Sequence, residues 1–283
     1  SSINEHIEQM RLSATKSLIT AVKSNPDYQV TTFFSTPWTP PNNATSRWKL
    51  GVADYTNQPD VGGYLDPAHY QDYADVLADY ALGFESHMGA PLAALSLQNE
   101  PNFACSYESA DWSAAQFHDF MVVLKAEFTK KGVFTQLPNL TIMAPEHNNM
   151  EEALIVPTLQ DSSVSDLVGI VAGHQYEFGW GADPLAVQAP NFSTAKAAGK
   201  KLWMTEWSVE KFLNNGQYSK NDLYPNLALA KVIHSDLAEA ELNAYVYWWA
   251  AALVDNDAPT KLLSTLTTPS LLERALAHCI EQG

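Results

Sequence analysis
Hydrophobic positions along this chain follow two periods in turn. From Ser1 to Ser24, Ile3, Ile7, Met10, Ala14, Leu18 and Val22 recur at helical spacing, and Pro26-Asp27 ends the pattern. Gln29–Ser35 is rich in β-branched and aromatic residues and predicts a strand. A proline-stiffened loop follows from Thr36 to about Tyr64. Asp66 then caps a helix with Pro67 in its first turn, running to about His87. Further strands are predicted at Leu92–Leu97, Leu140–Ala144, Leu167–Ala172, Leu202–Thr205 and Ala244–Trp249. Between them the pattern predicts helices at Ser113–Phe128, Met150–Leu159, within 184–199 and at Tyr224–Ala240, with a last helix at Leu271–Ile280.

Alternating apolar strands and amphipathic helices predict a parallel α/β fold. Each predicted strand leads into a polar, aromatic or proline-rich loop, and barrel and open-sheet enzymes keep their chemistry at that end. Two of these ends carry a glutamate. Ser96-Leu97-Gln98-Asn99-Glu100-Pro101 follows one apolar run, and Trp203-Met204-Thr205-Glu206-Trp207 closes another. The two acids are too distant in sequence for one turn or helix to hold both. Two carboxylates facing each other across a barrel mouth are what glycoside hydrolysis requires: one protonates the leaving oxygen, the other attacks or activates water. A solvated loop acid is the bland reading of each.

Composition narrows the partners. The chain has 283 residues, 46% hydrophobic and 17% charged, with a net charge of −16. That field disfavours nucleic acid and anionic membranes, and no apolar run is long enough to span a bilayer. Trp and Tyr number 8 and 12, enough to cover the apolar faces of sugar rings. No Gly-x-Gly-x-x-Gly or Walker loop follows a strand, which counts against nucleotide-binding folds. Cys105 and Cys279 offer no zinc spacing, and whether they pair is open. Glu146, His147, His174 and Glu177 do not have metal-ligand spacing either, so no metal or cofactor is expected and they are read as supporting or sugar contacts. Sequons at Asn43, Asn139 and Asn191 fit a secreted, extracellular glycoprotein.

Five motifs in order carry a resemblance: Ser35-Thr-Pro-Trp-Thr-Pro-Pro41, Ser96–Pro101, Gly173-His-Gln-Tyr176, Trp203–Trp207 and Tyr245-Val-Tyr-Trp-Trp249. Together they resemble glycoside hydrolase family 30, a group of retaining (β/α)8 TIM-type barrels. Tyr107-Glu108-Ser109 with Trp112 is similar to its xylan-cleaving branches. The resemblance implies Glu100 as acid/base and Glu206 as nucleophile, with Asn99 on the 2-hydroxyl of the reacting sugar. It implies Tyr176 beside the nucleophile, Trp38 on the glycone side, and Trp248 or Trp249 flooring a subsite. His174 and Trp207 are further candidate substrate contacts. Trp203, inside its strand, is expected in the core. The implied activity is endo-cleavage of β-1,4-xylan or glucuronoxylan, with β-1,6-glucan or galactan as alternatives and an inactive carbohydrate-binding barrel as the non-enzymatic reading. The implied barrel has eight strands, and only six are predicted. The first two strands and the family's β-sandwich are not predicted, so the expectation is a single, incomplete barrel domain, monomeric unless its open edges pair.

Overall fold
The computed structural model describes residues 3–26, 30–43, 47–176, 189–207 and 223–248. Helix α1 covers Ile3–Ser24. Strands β1 (Phe34–Ser35), β4 (Ala94–Ser96), β5 (Thr141–His147), β6 (Val168–His174), β7 (Lys201–Trp207) and β8 (Ala244–Tyr247) form one sheet in that spatial order. Every pairing in it is parallel. The sheet curls as part of a TIM-type barrel, and among the described residues β1 and β8 are its edges. Two further strands, β2 (Lys49–Leu50) and β3 (Tyr64–Leu65), stand outside the barrel as an antiparallel ribbon. They lie inside the segment predicted as loop, too short for periodicity to reveal.

The crossovers are α2 (Tyr70–Met88), α3 (Ala114–Lys130), α4 (Val133–Gln136), α5 (Val156–Gln160), α6 (Ser193–Ala197) and α7 (Leu223–His234). Both predicted caps form. The Asp66 carboxylate accepts from Ala68 N–H ahead of a short 3-10 turn, and Ser113 makes a reciprocal capping box with Gln116. The predicted Met150–Leu159 helix starts late, at Val156, because Pro157 lacks an N–H and fits only a first turn. The predicted Tyr224–Ala240 helix runs as α7 to His234 and ends in a π turn at Ser235–Glu239. The closing helix at Leu271–Ile280 lies outside the described residues, as do Cys279 and Trp249.

Strand alternation divides the core. Leu95, Ile142, Val171, Leu202 and Met204 face the helix layer. Ala94, Met143, Ile170 and Ala172 point into the barrel, where Phe34 and Trp203 meet edge-on at 6.0 Å. Trp203 is thus core, as its strand position predicts. Phe120 of α3 centres the helix layer, with ring centroids 5.5 Å from Tyr70, 5.3 Å from Tyr73 and 5.4 Å from Trp112. No helix among the described residues is long and apolar enough to cross a membrane.

Candidate active site
Four strand ends bring the site together, those of β4, β5, β6 and β7. Glu100 lies just past β4, where its N–H donates to the Glu146 carbonyl at 3.0 Å and Asn99 N–H donates to the Pro37 carbonyl at 2.8 Å. Glu100 has φ +45° and Glu146 φ +56°, both in the left-handed region that side chains with a Cβ disfavour. Glu146 is the extra residue of a bulge: Pro145 pairs with Ala172, while His147 pairs with Gly173.

β7 carries a second bulge. Met204 pairs with Gly173, but Glu206 pairs with His174, so β7 holds one residue more than β6 over this stretch. The shift inverts the facing of everything beyond it. Without it, Glu206 would join Leu202 and Met204 on the helix side. With it, Glu206 turns to the barrel mouth, and Trp207 takes its place in the helix-facing core.

His174 ends β6 between the acids, 1% exposed. Its Nδ1 lies 3.0 Å from Glu100 Oε1 and 3.9 Å from Glu206 Oε2, and its Nε2 lies 3.9 Å from Glu146 Oε1. Burial opposes its charge, but hydrogen bonds to Glu100 and Glu146 and the charge of Glu206 outweigh that and raise its pKa to about 9. It is therefore an imidazolium at neutral pH. Burial pushes the Glu206 pKa up, the His174 cation pulls it back, and Glu100 adds to the rise. Tyr176 Oη donates to Glu206 Oε1 at 2.9 Å. Burial and then the Glu206 charge raise the Tyr176 pKa, so its phenol stays protonated and keeps donating. One oxygen of Glu100 and one of Glu206 lie within 4.8 Å of each other, with a His174 nitrogen in the same group. These three could also ligate a metal, but a metal would have to displace the proton that the carboxylates hold on His174.

The predicted residues do not all serve as expected. Trp38 and Trp248 do come together, 6.0 Å between ring centroids, and both are part-exposed. Trp207 is corrected: it is 1% exposed and packed in the core, so it offers no face to a ligand. His174 is also corrected, from substrate contact to a buried partner of Glu100. Tyr107, noted in the sequence only as part of a motif, joins the site: its ring meets Trp38 edge-on at 5.5 Å and its Oη reaches Glu100 Oε2 at 3.5 Å. Sequence reading missed Asn148, 3.4 Å from Glu100 Oε1, and for Glu146 went no further than a supporting or sugar contact. Gln98, fully buried, holds the Trp38 carbonyl through Nε2.

Residues 16–258 match the family described as O-glycosyl hydrolase family 30. The chain belongs to that family. Among its relatives, glucuronoxylanase XynC of Bacillus subtilis is 28% identical over 218 residues, covering 76% of this chain and 45% of that protein. An endo-β-1,6-galactanase of Hypocrea rufa is 24% identical over 232 residues, 77% of this chain and 43% of that one. The solved family 30 subfamily 8 xylanase of Clostridium acetobutylicum superposes with a TM-score of 0.59 at 34% identity, covering 78% of this chain and 48% of that one. This family 30 chain thus spans about half the length of the curated relatives it matches.

Proposed function
We propose that this chain carries the catalytic centre of a retaining endo-glycoside hydrolase acting on β-1,4-xylan or glucuronoxylan in the extracellular space. The observation that carries the reading is the approach of Glu100 and Glu206 oxygens to within 4.8 Å. That approach is compatible with the separation of about 5–5.5 Å between the carboxyls of retaining enzymes.

Glu206 attacks the anomeric carbon, and Glu100 gives its proton to the departing oxygen. A water deprotonated by Glu100 then releases the sugar from Glu206. Tyr176 and the His174 imidazolium hold negative charge on Glu206 despite its burial, which attack requires. Asn99 bonds the 2-hydroxyl of the reacting sugar. Trp38, Tyr107 and Trp248 form an aromatic wall for the apolar faces of the sugar rings. Double displacement closes with these groups and water alone.

The xylan assignment is supported by two xylan-named relatives, the glucuronoxylanase and the 34%-identical xylanase structure. The galactanase relative keeps β-1,6-galactan as the second reading. Two measurements test the proposal. A 2-fluoro glycoside should trap a covalent adduct on Glu206, and an adduct on another carboxylate overturns the mechanism. Reducing-sugar release across xylan, glucuronoxylan, β-1,6-glucan and β-1,6-galactan decides the substrate, and binding without release from any of them rejects enzymatic function.

A further inference from the structure
Lys49, the first residue of β2, is wholly buried. Its ammonium makes three hydrogen bonds, all to uncharged oxygens: Thr39 Oγ1 at 2.8 Å, the Asp60 carbonyl at 2.7 Å and the Ser109 carbonyl at 2.8 Å. Its backbone is held as firmly, with N–H donating to Asn42 Oδ1 at 3.1 Å and its carbonyl accepting from Tyr55 Oη at 2.8 Å. Burying an ammonium is costly, and among the described residues no carboxylate bonds this one directly. Burial lowers its pKa to about 8, with the nearby Asp60 charge resisting the fall. Such a residue needs a reason, and the three segments it joins supply one.

Thr39 follows Trp38 on the loop after β1. Asp60 belongs to the β2–β3 connection. Ser109 lies two residues beyond Tyr107 on the loop between β4 and α3. Further bonds close the same triangle: Thr39 Oγ1 to the Ser109 carbonyl at 3.2 Å, Ser109 N–H to the Asp60 carbonyl at 3.0 Å, and Gly62 N–H to Ser109 Oγ at 3.1 Å. At the far end of two of these loops, the Trp38 and Tyr107 rings meet 5.5 Å apart, and Tyr107 reaches Glu100.

We propose that Lys49 is a positioning residue for glycan cleavage, its ammonium clasping the Trp38 and Tyr107 loops into one wall beside Glu100. The catalytic part of this inference rests on the glycosidase reading given above, and the clasp itself does not. Lys49→Met keeps the aliphatic stem and removes all three donors. Lys49→Ala removes the stem too and leaves room for a small cation in the oxygen cradle.

Hydrogen exchange tests the clasp without activity. In both variants, amides of 36–43 and 101–112 should exchange at least tenfold faster while those of α3 stay unchanged. Methylammonium should restore protection in Lys49→Ala and not in Lys49→Met, because the cradle recognises N–H donors rather than the chain bearing them. Uniform acceleration across the protein, no acceleration, or equal response of both variants to methylammonium overturns the proposal. If Lys49→Met does not fold, Thr39→Val, which removes one arm only, should loosen the same two segments. On polymeric glycan, Lys49→Met should raise KM at least tenfold while altering kcat less, and an unchanged KM overturns the positioning role. If the wild type cleaves no polymer, the glycosidase reading fails, and exchange with methylammonium still decides the clasp.

Discussion
Replacing His174 by Gln tests the electrostatics of the site. The substitution keeps a side-chain donor for Glu100 but removes a positive charge 3.9 Å from Glu206 Oε2. At an effective dielectric constant of about 20, a unit charge at that distance contributes about 4 kcal/mol, which relaxation and water entry reduce. Losing it should raise the Glu206 pKa, because the cation opposes the rise that burial causes. The sign follows from the chemistry. Glu206 must be ionised to attack, and a raised pKa leaves less of it ionised at low pH. The acidic limb of kcat/KM should therefore move to higher pH, with the largest loss of rate at acid pH and recovery as pH rises. The assay is a pH profile with an activated aryl glycoside, whose leaving group needs no proton from Glu100. The carboxylates of Glu100 and Glu146, the phenols of Tyr107 and Tyr176 and the His147 imidazole also face this region, and none replaces the lost cation. An unmoved acidic limb, with the same fractional loss at every pH, refutes the imidazolium and leaves His174 as packing.

Tyr176→Phe removes the 2.9 Å bond to Glu206. A hydrogen bond to a charged group is worth about 1.5–3 kcal/mol, so kcat/KM should fall about 10- to 150-fold and the acidic limb should move the same way as in His174→Gln. Glu100→Ala should impair natural glycans far more than activated aryl glycosides, and azide should restore part of the rate on the latter; equal losses without rescue argue against the acid/base role. Gly173→Ala would place a Cβ 2.9 Å from the Asn149 carbonyl, pushing the 147–150 loop and Asn148 off Glu100, and kinetics should show lower activity together with a loss of stability of about 1–3 kcal/mol from overpacking. Phe120→Ala, in the helix layer away from the site, should lower stability by about 3–5 kcal/mol, read from the urea midpoint, while kcat of the remaining folded enzyme is unchanged.

What the sequence disclosed follows from how far each signal reaches along the chain. The strand ends holding Glu100 and Glu206 were legible because an apolar run breaks into polar residues within a few positions. The Asp66 and Ser113 caps were legible because a cap acts within one turn. Trp207, a candidate substrate contact from the sequence, lies in the core because strand alternation holds only while register is kept, and the β7 bulge breaks it between Met204 and Glu206. The same bulge turns Glu206, the proposed nucleophile, inward, and no residue type in the stretch announces it. The places of Glu146, Tyr107, Asn148 and Lys49 were not legible because they depend on partners tens of residues away. The Lys49 ammonium, for example, meets Ser109 across 60 positions. Ribbon β2–β3 escaped because two-residue strands have no period to detect.

The left-handed backbone at Glu100 and Glu146 bears on any attempt to make this protein sturdier. An L-residue in that region costs about 1–2 kcal/mol relative to the right-handed one, and glycine is nearly free of the penalty. A selection for thermal resistance alone would therefore find relief at these two positions, and the first would erase the proposed general acid. Libraries built for heat tolerance should hold both residues fixed and seek their gains in the α2–α3 layer, where packing and chemistry do not compete.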